Sequence, residues 1–199
     1  MTSIEQDAKR SFLGYVKGKE MTVLHDEGLY RHLRFGARGS VGWFELVTWP
    51  GSLAIKGDIG GSYIFARLDD MFQFFGSNPD YINPGYWDEK IQAGGPTRAF
   101  SDDLFKQRVV EYFWDIRHAY KGESARLFRA IREDVLDYGE CQDEARTALN
   151  TFAYRDNDGE LFEFGDTWEW NFTDWSIHYL RACYAIVWGI SRYRAVVSA

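Results

Sequence analysis

In the front of the chain, apolar and polar residues alternate in short runs broken by glycine; further on, the apolar spacing lengthens to three and four. The first pattern is that of half-buried strands and the second that of amphipathic helices. The opening segment SIEQDAKRSFLGYV already has helical spacing. Ser3 suits an N-cap, acidic residues fall in the first turn, and Ile4, Ala8, Phe12 and either Tyr15 or Val16 share one face. MTVLHDEG and LYRHLRFG then read as a hairpin turning at Asp-Glu-Gly. GWFELVTW places Trp43, Glu45, Val47 and Trp49 on one face and Phe44, Leu46 and Thr48 on the other, and Pro50-Gly51 closes it with a turn. SLAIKG and SYIFARL follow, joined by GDIGG. Strands this close in sequence cannot be parallel neighbours, which need long crossovers, so an antiparallel meander is predicted.

From residue 69 the helical period takes over. LDDMFQFFG reads as a short helix with Asp69 or Asp70 at its start and Gly76 at its end, and INPGYWDEKIQAGG as another, capped by Asn83 and stopped by Gly94-Gly95. Ser101 caps a longer helix whose apolar face is Leu104, Phe105, Val109, Tyr112, Phe113 and Ile116. ESARLFRAIREDVLDYG and DEARTALNTFAY continue the helical block, and YRDNDGELFEF returns to a hairpin around Asp158-Gly159. The last helix, capped by Thr173, carries Ile177, Leu180, Tyr184, Val187, Trp188 and Ile190 around most of its circumference, the mark of a buried helix. With no repeat and no Pro/Gly/Ser linker, the expectation is one α+β domain over residues 1–199. In it, an N-terminal antiparallel meander (1–68, with the first helix) packs against a C-terminal helical group (69–199, with a hairpin near 152–165).

Composition adds a surplus of rings. Eight Trp, 12 Tyr and 15 Phe in 199 residues exceed what an ordinary small core needs, so some of them line a groove or a partner surface. The net charge of −7, from 30 acidic and 23 basic residues, disfavours direct binding to a nucleic-acid backbone; such acidity either attracts a basic partner or simply keeps the protein soluble, the commoner case. Two cysteines without CxxC spacing fit a reducing cytoplasm. MTSIEQDAKRSF lacks the apolar core of a signal peptide, and the longest apolar run, ACYAIVWGI, is too short to span a bilayer, so a soluble protein is expected.

No catalytic constellation assembles from spacing alone. GDIGG is followed by a strand pattern, not by the helix N-terminus a phosphate loop requires, and Asp58 suits a turn cap. His25, His32, His118 and His178 include no helical i, i+4 pair for zinc. His178 and Cys183 stand five apart on one helix, hence on different sides. RDNDGELFEF fails the calcium-loop pattern, which would put Tyr154 at the first ligand position and Gly165 at the twelfth. No catalytic residue, metal ligand or cofactor is therefore expected. In ELFEFGDTWEWNF, acids alternate with rings, and a strand there would turn one set outward. Its members Glu160, Glu163, Asp166, Trp168, Glu169 and Trp170 are the candidate partner-binding residues.

MTVLHDEGLYRHLRF, WFELVTWPGSLAIKGDIGGSYIFARLDDMFQFF, INPGYWDEKIQA and DTWEWNFTDWSIHYLRACYAIVWGISRY together resemble a family of small proteins encoded by tailed bacteriophages and prophages. The similarity spans most of the chain and is most specific in the succession TWPG, GDxG, DMFxFF; Arg181 departs from the family's more continuously apolar stretch. The resemblance implies a phage origin and supplies no catalytic residues. With the acidic charge and surplus rings it leads to one expectation: a phage accessory protein that binds a host protein or protein–nucleic acid complex in the host cytoplasm. An inhibitor of a bacterial defence system, an anti-CRISPR or other anti-defence protein, fits that description. The alternatives are an enzyme acting on nucleotides or nucleic acid, with Glu45, Asp58, Arg67 and a histidine converging at the sheet–helix junction, and a virion or DNA-metabolism component.

Overall fold

The alternating runs close into one antiparallel sheet. In the computed structural model, which describes residues 3–76, 78–120, 122–139 and 141–197, the chain begins α1 (Ser3–Val16), β1 (Met21–Glu27), β2 (Tyr30–Phe35), β3 (Phe44–Trp49), β4 (Ser52–Gly57) and β5 (Tyr63–Ala66). Next come α2 (Met71–Phe75), α3 (Pro84–Asp88), β6 (Ile91–Gly94), β7 (Arg98–Phe100), α4 (Asp102–Ile116), α5 (Ser124–Ile131) and α6 (Gln142–Thr151). The chain ends with β8 (Tyr154–Arg155), β9 (Leu161–Phe162), β10 (Thr173–Trp175) and α7 (Ile177–Val197). The fold class is α+β, an N-terminal antiparallel sheet with a C-terminal helical group and a long last helix. The expected caps act as such: Asp70 accepts from Phe72 N at 3.0 Å, Asn83 from Tyr86 N at 3.3 Å and Ser101 from Leu104 N at 3.3 Å.

Two compact units emerge, one made of the chain up to Arg98 and from Trp175 onward, the other Ala99–Asp174. Neither boundary carries a linker in the sequence, because each falls within a short strand, β7 or β10. Each unit has its own core.

The first unit is built on the sheet, whose order β1-β2-β3-β4-β5-β6 follows the sequence. Its register sets Leu46 opposite Leu33 and Ile55, and Phe44 opposite Phe35. Alternation therefore turns Leu33, Phe35, Phe44, Leu46, Leu53, Ile55 and Phe65 to one face, where they share a core with Phe12 of α1 and with α7. Burial of each large side chain contributes about 1.5–3 kcal/mol. The length of α7 from Ala182 to Ile190 is buried all round, as its sequence implied. It approaches the sheet at Gly189, where a Cβ would lie 2.7 Å from Leu46 Cδ1 and 3.1 Å from the Phe35 ring. A polar chain closes one end of this core. Tyr193 Oη donates to Asp26 at 2.9 Å, and Arg31 donates to Asp70 at 2.9 Å while lying 4.7 Å over the Phe72 ring.

GDIGG is a hairpin connection between β4 and β5. Its glycines answer to packing. A Cβ on Gly57 (φ 144°) would strike the carbonyl oxygen of Trp43, and one on Gly60 (φ 115°) the imidazole of His178. Ile59 plugs the core. Asp58 caps a different turn from its own: its carboxylate accepts from Gly42 N at 2.9 Å, and its N–H donates to Trp43 O at 2.7 Å, which ties this hairpin to the loop before β3.

Three expectations are corrected. The helix expected through Gly94-Gly95 stops at Asp88, and Ile91–Gly94 becomes the sixth strand because β5 offers it a free edge. The last helix starts at Ile177, since Thr173–Trp175 is extended and Ser176, not Thr173, accepts the first helical bond, from Leu180 N at 3.0 Å. The segment after β9 does not continue as a strand. Asp166 adopts the left-handed conformation (φ 52°), which aspartate tolerates better than most residues, and Thr167–Glu169 makes a 3-10 turn.

The second unit packs α4, α5 and α6 around the rings of the hairpin and the segment after it. Phe105, Val109 and Phe113 of α4 meet Leu127, Ile131, Leu149, Phe162, Phe164, Trp170 and Phe172. Between α5 and α6, Arg132–Leu136 widens into a π-helical turn.

Candidate functional site

Charge is divided unevenly between the units. Ala99–Asp174 contains 18 acidic and 9 basic residues, a net −9, whereas the rest of the chain contains 12 acidic and 14 basic, a net +2. The second unit thus carries more than the whole negative charge of the protein, and its field favours a basic partner.

Five of the six candidate residues from the sequence lie on the surface of this unit: Glu160, Glu163, Asp166, Trp168 and Glu169. Trp168 is 75% exposed, its ring open to solvent. Trp170 is the correction. It is only 7% exposed, its ring 5.2 Å from Tyr112 and 6.2 Å from Phe172, so it supports the surface from below and does not project from it. The 3-10 turn Thr167–Glu169, entered through Asp166, is what separates the two tryptophans, one outward and one inward.

The loop bearing Trp168 is held by its backbone. Arg146 of α6 donates to the carbonyls of Thr167 at 3.1 Å and Trp170 at 2.9 Å, and its guanidinium lies 5.2 Å over the Phe172 ring. Thr167 Oγ1 donates to Asn150 at 2.9 Å, and Tyr112 Oη accepts from Gly165 N at 3.1 Å. The neighbouring hairpin is closed by Asp156, whose carboxylate accepts from the N–H groups of Asp158 at 3.0 Å and Glu160 at 2.8 Å. Glu123 anchors the hairpin's base by accepting from Tyr154 Oη at 2.9 Å and from the Asn157 amide. Fixed loops bind at less entropic cost than mobile ones.

Two depressions on the same unit escaped the sequence reading. A groove of about 480 Å³ runs beside the π-helical turn, bordered by Asp134, Tyr138, Asp143, Glu144 and Thr147. A cleft of about 400 Å³ is lined by Arg108, Glu111, Tyr112, Trp114 and Asp115, with Trp170 contributing to its wall. Both combine carboxylates with exposed rings, Tyr138 and Trp114. The acid density of REDVLDYGECQDE was the sequence signal of the first; the second is built mainly on α4 and had none.

The enzyme alternative places its residues apart. Glu45 sits on the sheet face turned away from the core, not at the sheet–helix junction. Its side chain is 0% exposed, and both oxygens are engaged: His32 Nε2 is 3.0 Å and Lys56 Nζ 3.2 Å from Oε2, and Arg38 is 3.4 Å from Oε1. Burial raises its pKa, but the bonds from His32 and Lys56 outweigh burial and hold it below the ordinary glutamate range. A carboxylate so stabilised as an anion is a poor proton acceptor. Asp58 is committed to Gly42, and Arg67 borders a separate depression with Phe74 and Trp87. His25 and His32 are cross-strand partners, His118 lies in a 3-10 turn of the second unit, and His178 packs on Gly60. Cys183 is buried, and burial pushes its thiol far above the ordinary range; His178 on the same helix is exposed. Among the described residues no three His, Cys, Asp or Glu side chains are grouped to hold a metal ion, and no helix is long and apolar enough to cross a membrane.

Comparisons with protein-family models, with curated proteins and with solved structures find no match for this chain.

Proposed function

We propose that the protein acts by binding, that its acidic second unit is the surface it offers, and that the partner is a positively charged host protein or the basic surface of a protein–nucleic acid complex. The observation that carries this reading is the concentration of a net −9 on one compact unit that exposes Trp168 on a fixed loop and leaves Glu160, Glu163, Asp166 and Glu169 on its surface. Aromatic anchors ringed by charge are the usual composition of binding hot spots, and carboxylates on a rigid frame can occupy positions where phosphates would lie on a basic groove.

Joined to the resemblance of the TWPG, GDxG and DMFxFF segments to phage proteins, this surface is that of a phage accessory protein working in the host cytoplasm as an inhibitor of a bacterial defence system. Deleting the gene from its phage and plating on hosts with and without defined defence systems tests the reading. A plating defect confined to a defended host is expected. Equal plating on every host overturns the anti-defence role.

A further inference from the structure

The sheet of the first unit has its core on one face only. On the other, Val47, Trp49, Ala54 and Ile64 belong neither to the core nor to the residues packed on it. The register sets Arg34 opposite Glu45 and Glu45 opposite Lys56, so that these three stand in one row across β2, β3 and β4, and Arg38 reaches in from the loop before β3. Glu45 is already satisfied by His32, Lys56 and Arg38. The Arg34 side chain has no hydrogen bond or ion pair among the described residues, and its Nε is buried without a partner. Three permanent cations thus surround a single carboxylate. Four residues along the same face, about 13 Å away, Tyr30 and Trp49 lie one position beyond the Arg31–Thr48 pair, and Tyr30 is 55% exposed. His32, Val47, Ala54 and Ile64 occupy the row between, and Glu27 stands at the end of β1.

We propose that this open sheet face binds single-stranded nucleic acid, with phosphates on Arg34, Arg38 and Lys56 and bases stacked on Tyr30 and Trp49. An antiparallel sheet with helices behind it and rings and cations in front is suited to unpaired bases, whose faces are free to stack, whereas a duplex encloses them. The whole-chain charge of −7 opposes this only if it is spread evenly, and it is not: the first unit carries +2. Screening confines each field to about 8 Å at physiological salt. The inference uses only this unit and stands whether or not the acidic unit finds its partner.

The full chain is titrated into fluorescein-labelled 15-nucleotide oligo(dT), oligo(U) and a matched duplex, read by fluorescence anisotropy at 50 and 200 mM salt. Single strands bind in preference, and affinity falls about 20-fold between the two salts, as about three phosphate contacts at a slope of roughly −0.7 each require. Arg34→Ala, which removes a guanidinium that bonds nothing in the fold, weakens binding by about threefold or more with an unchanged Tm. Tyr30→Ala weakens it by about fivefold or more. Absence of binding at 50 mM salt, equal affinity for the duplex, or indifference to both substitutions overturns the proposal. So does binding of polyglutamate that is lost in the same variants, which assigns the face to an acidic protein. Self-association abolished by Arg34→Ala assigns it instead to a second copy.

Discussion

His32 Nε2 lies 3.0 Å from Glu45 Oε2, on a carboxylate that has no exposed surface. The two residues are diagonal neighbours on one face of β2 and β3, His32 lying opposite Val47 and Glu45 opposite Arg34, and because Glu45 is held ionised it is the imidazole N–H that donates. Lys56 and Arg38 complete the shell, so an anion in the middle of the sheet is paid for by three donors on neighbouring strands and a loop.

This arrangement gives a signed pH dependence. Glu45 has a pKa below its unfolded value, so its contribution is fully present above the ordinary glutamate range, about pH 4, and is lost as pH falls through the lower folded value. Urea unfolding of the wild type is expected to lose stability between pH 5 and 2, and Glu45→Gln to lose less over the same interval. At neutral pH, Glu45→Ala costs about 2–3 kcal/mol, less than a fully buried pair would because Lys56 and Arg38 retain water.

The Gly-rich turn supplies a second test. Gly60→Ala places a methyl group against His178 at a φ of 115° and is expected to destabilise the fold by about 2 kcal/mol or more. Adding His178→Ala removes the clash and restores part of the loss, a coupling measurable in a double-mutant cycle. Addition of inorganic phosphate leaves the Tm of every variant unchanged if the glycines serve packing alone.

Gly189→Ala tests the contact of α7 with the sheet. Alanine improves helix propensity by about 1 kcal/mol, but the added methyl group meets Leu46 and Phe35, both fully buried. Overpacking of this kind costs about 1–3 kcal/mol, so a net loss is expected in chemical denaturation. A gain would mean that the helix stands further from the sheet.

Much of this was legible in the chain. The meander, its turns, the caps at Asp70, Asn83 and Ser101, and the buried last helix all follow from local periodicity. Ile91–Gly94 was not legible, because a four-residue strand after a helical turn has too few positions to show alternation, and its place is set by the edge of β5. Nor was the inward turn of Trp170. Alternation in FEFGDTWEW predicts one face for the rings, and the 3-10 turn entered through the left-handed Asp166 breaks it. Glu45 could be placed on a strand face from sequence, but its cage of His32, Arg38 and Lys56 depends on cross-strand register and on a loop. The charge division needed the unit boundaries, which no linker marks.

The central claim, that the acidic unit is the binding surface, is tested most directly by affinity capture from host lysate. Wild-type protein is compared with Trp168→Ala and with the combined Glu160→Lys, Glu163→Lys and Glu169→Lys variant, all altered at exposed positions that leave the Tm unchanged. The expected result is a host protein recovered at stoichiometric level by the wild type, released by raised salt, and lost or weakened at least tenfold in both variants, since an exposed aromatic anchor contributes about 1–2 kcal/mol or more at a hot spot. Recovery of no host protein, or equal recovery by wild type and both variants, contradicts it.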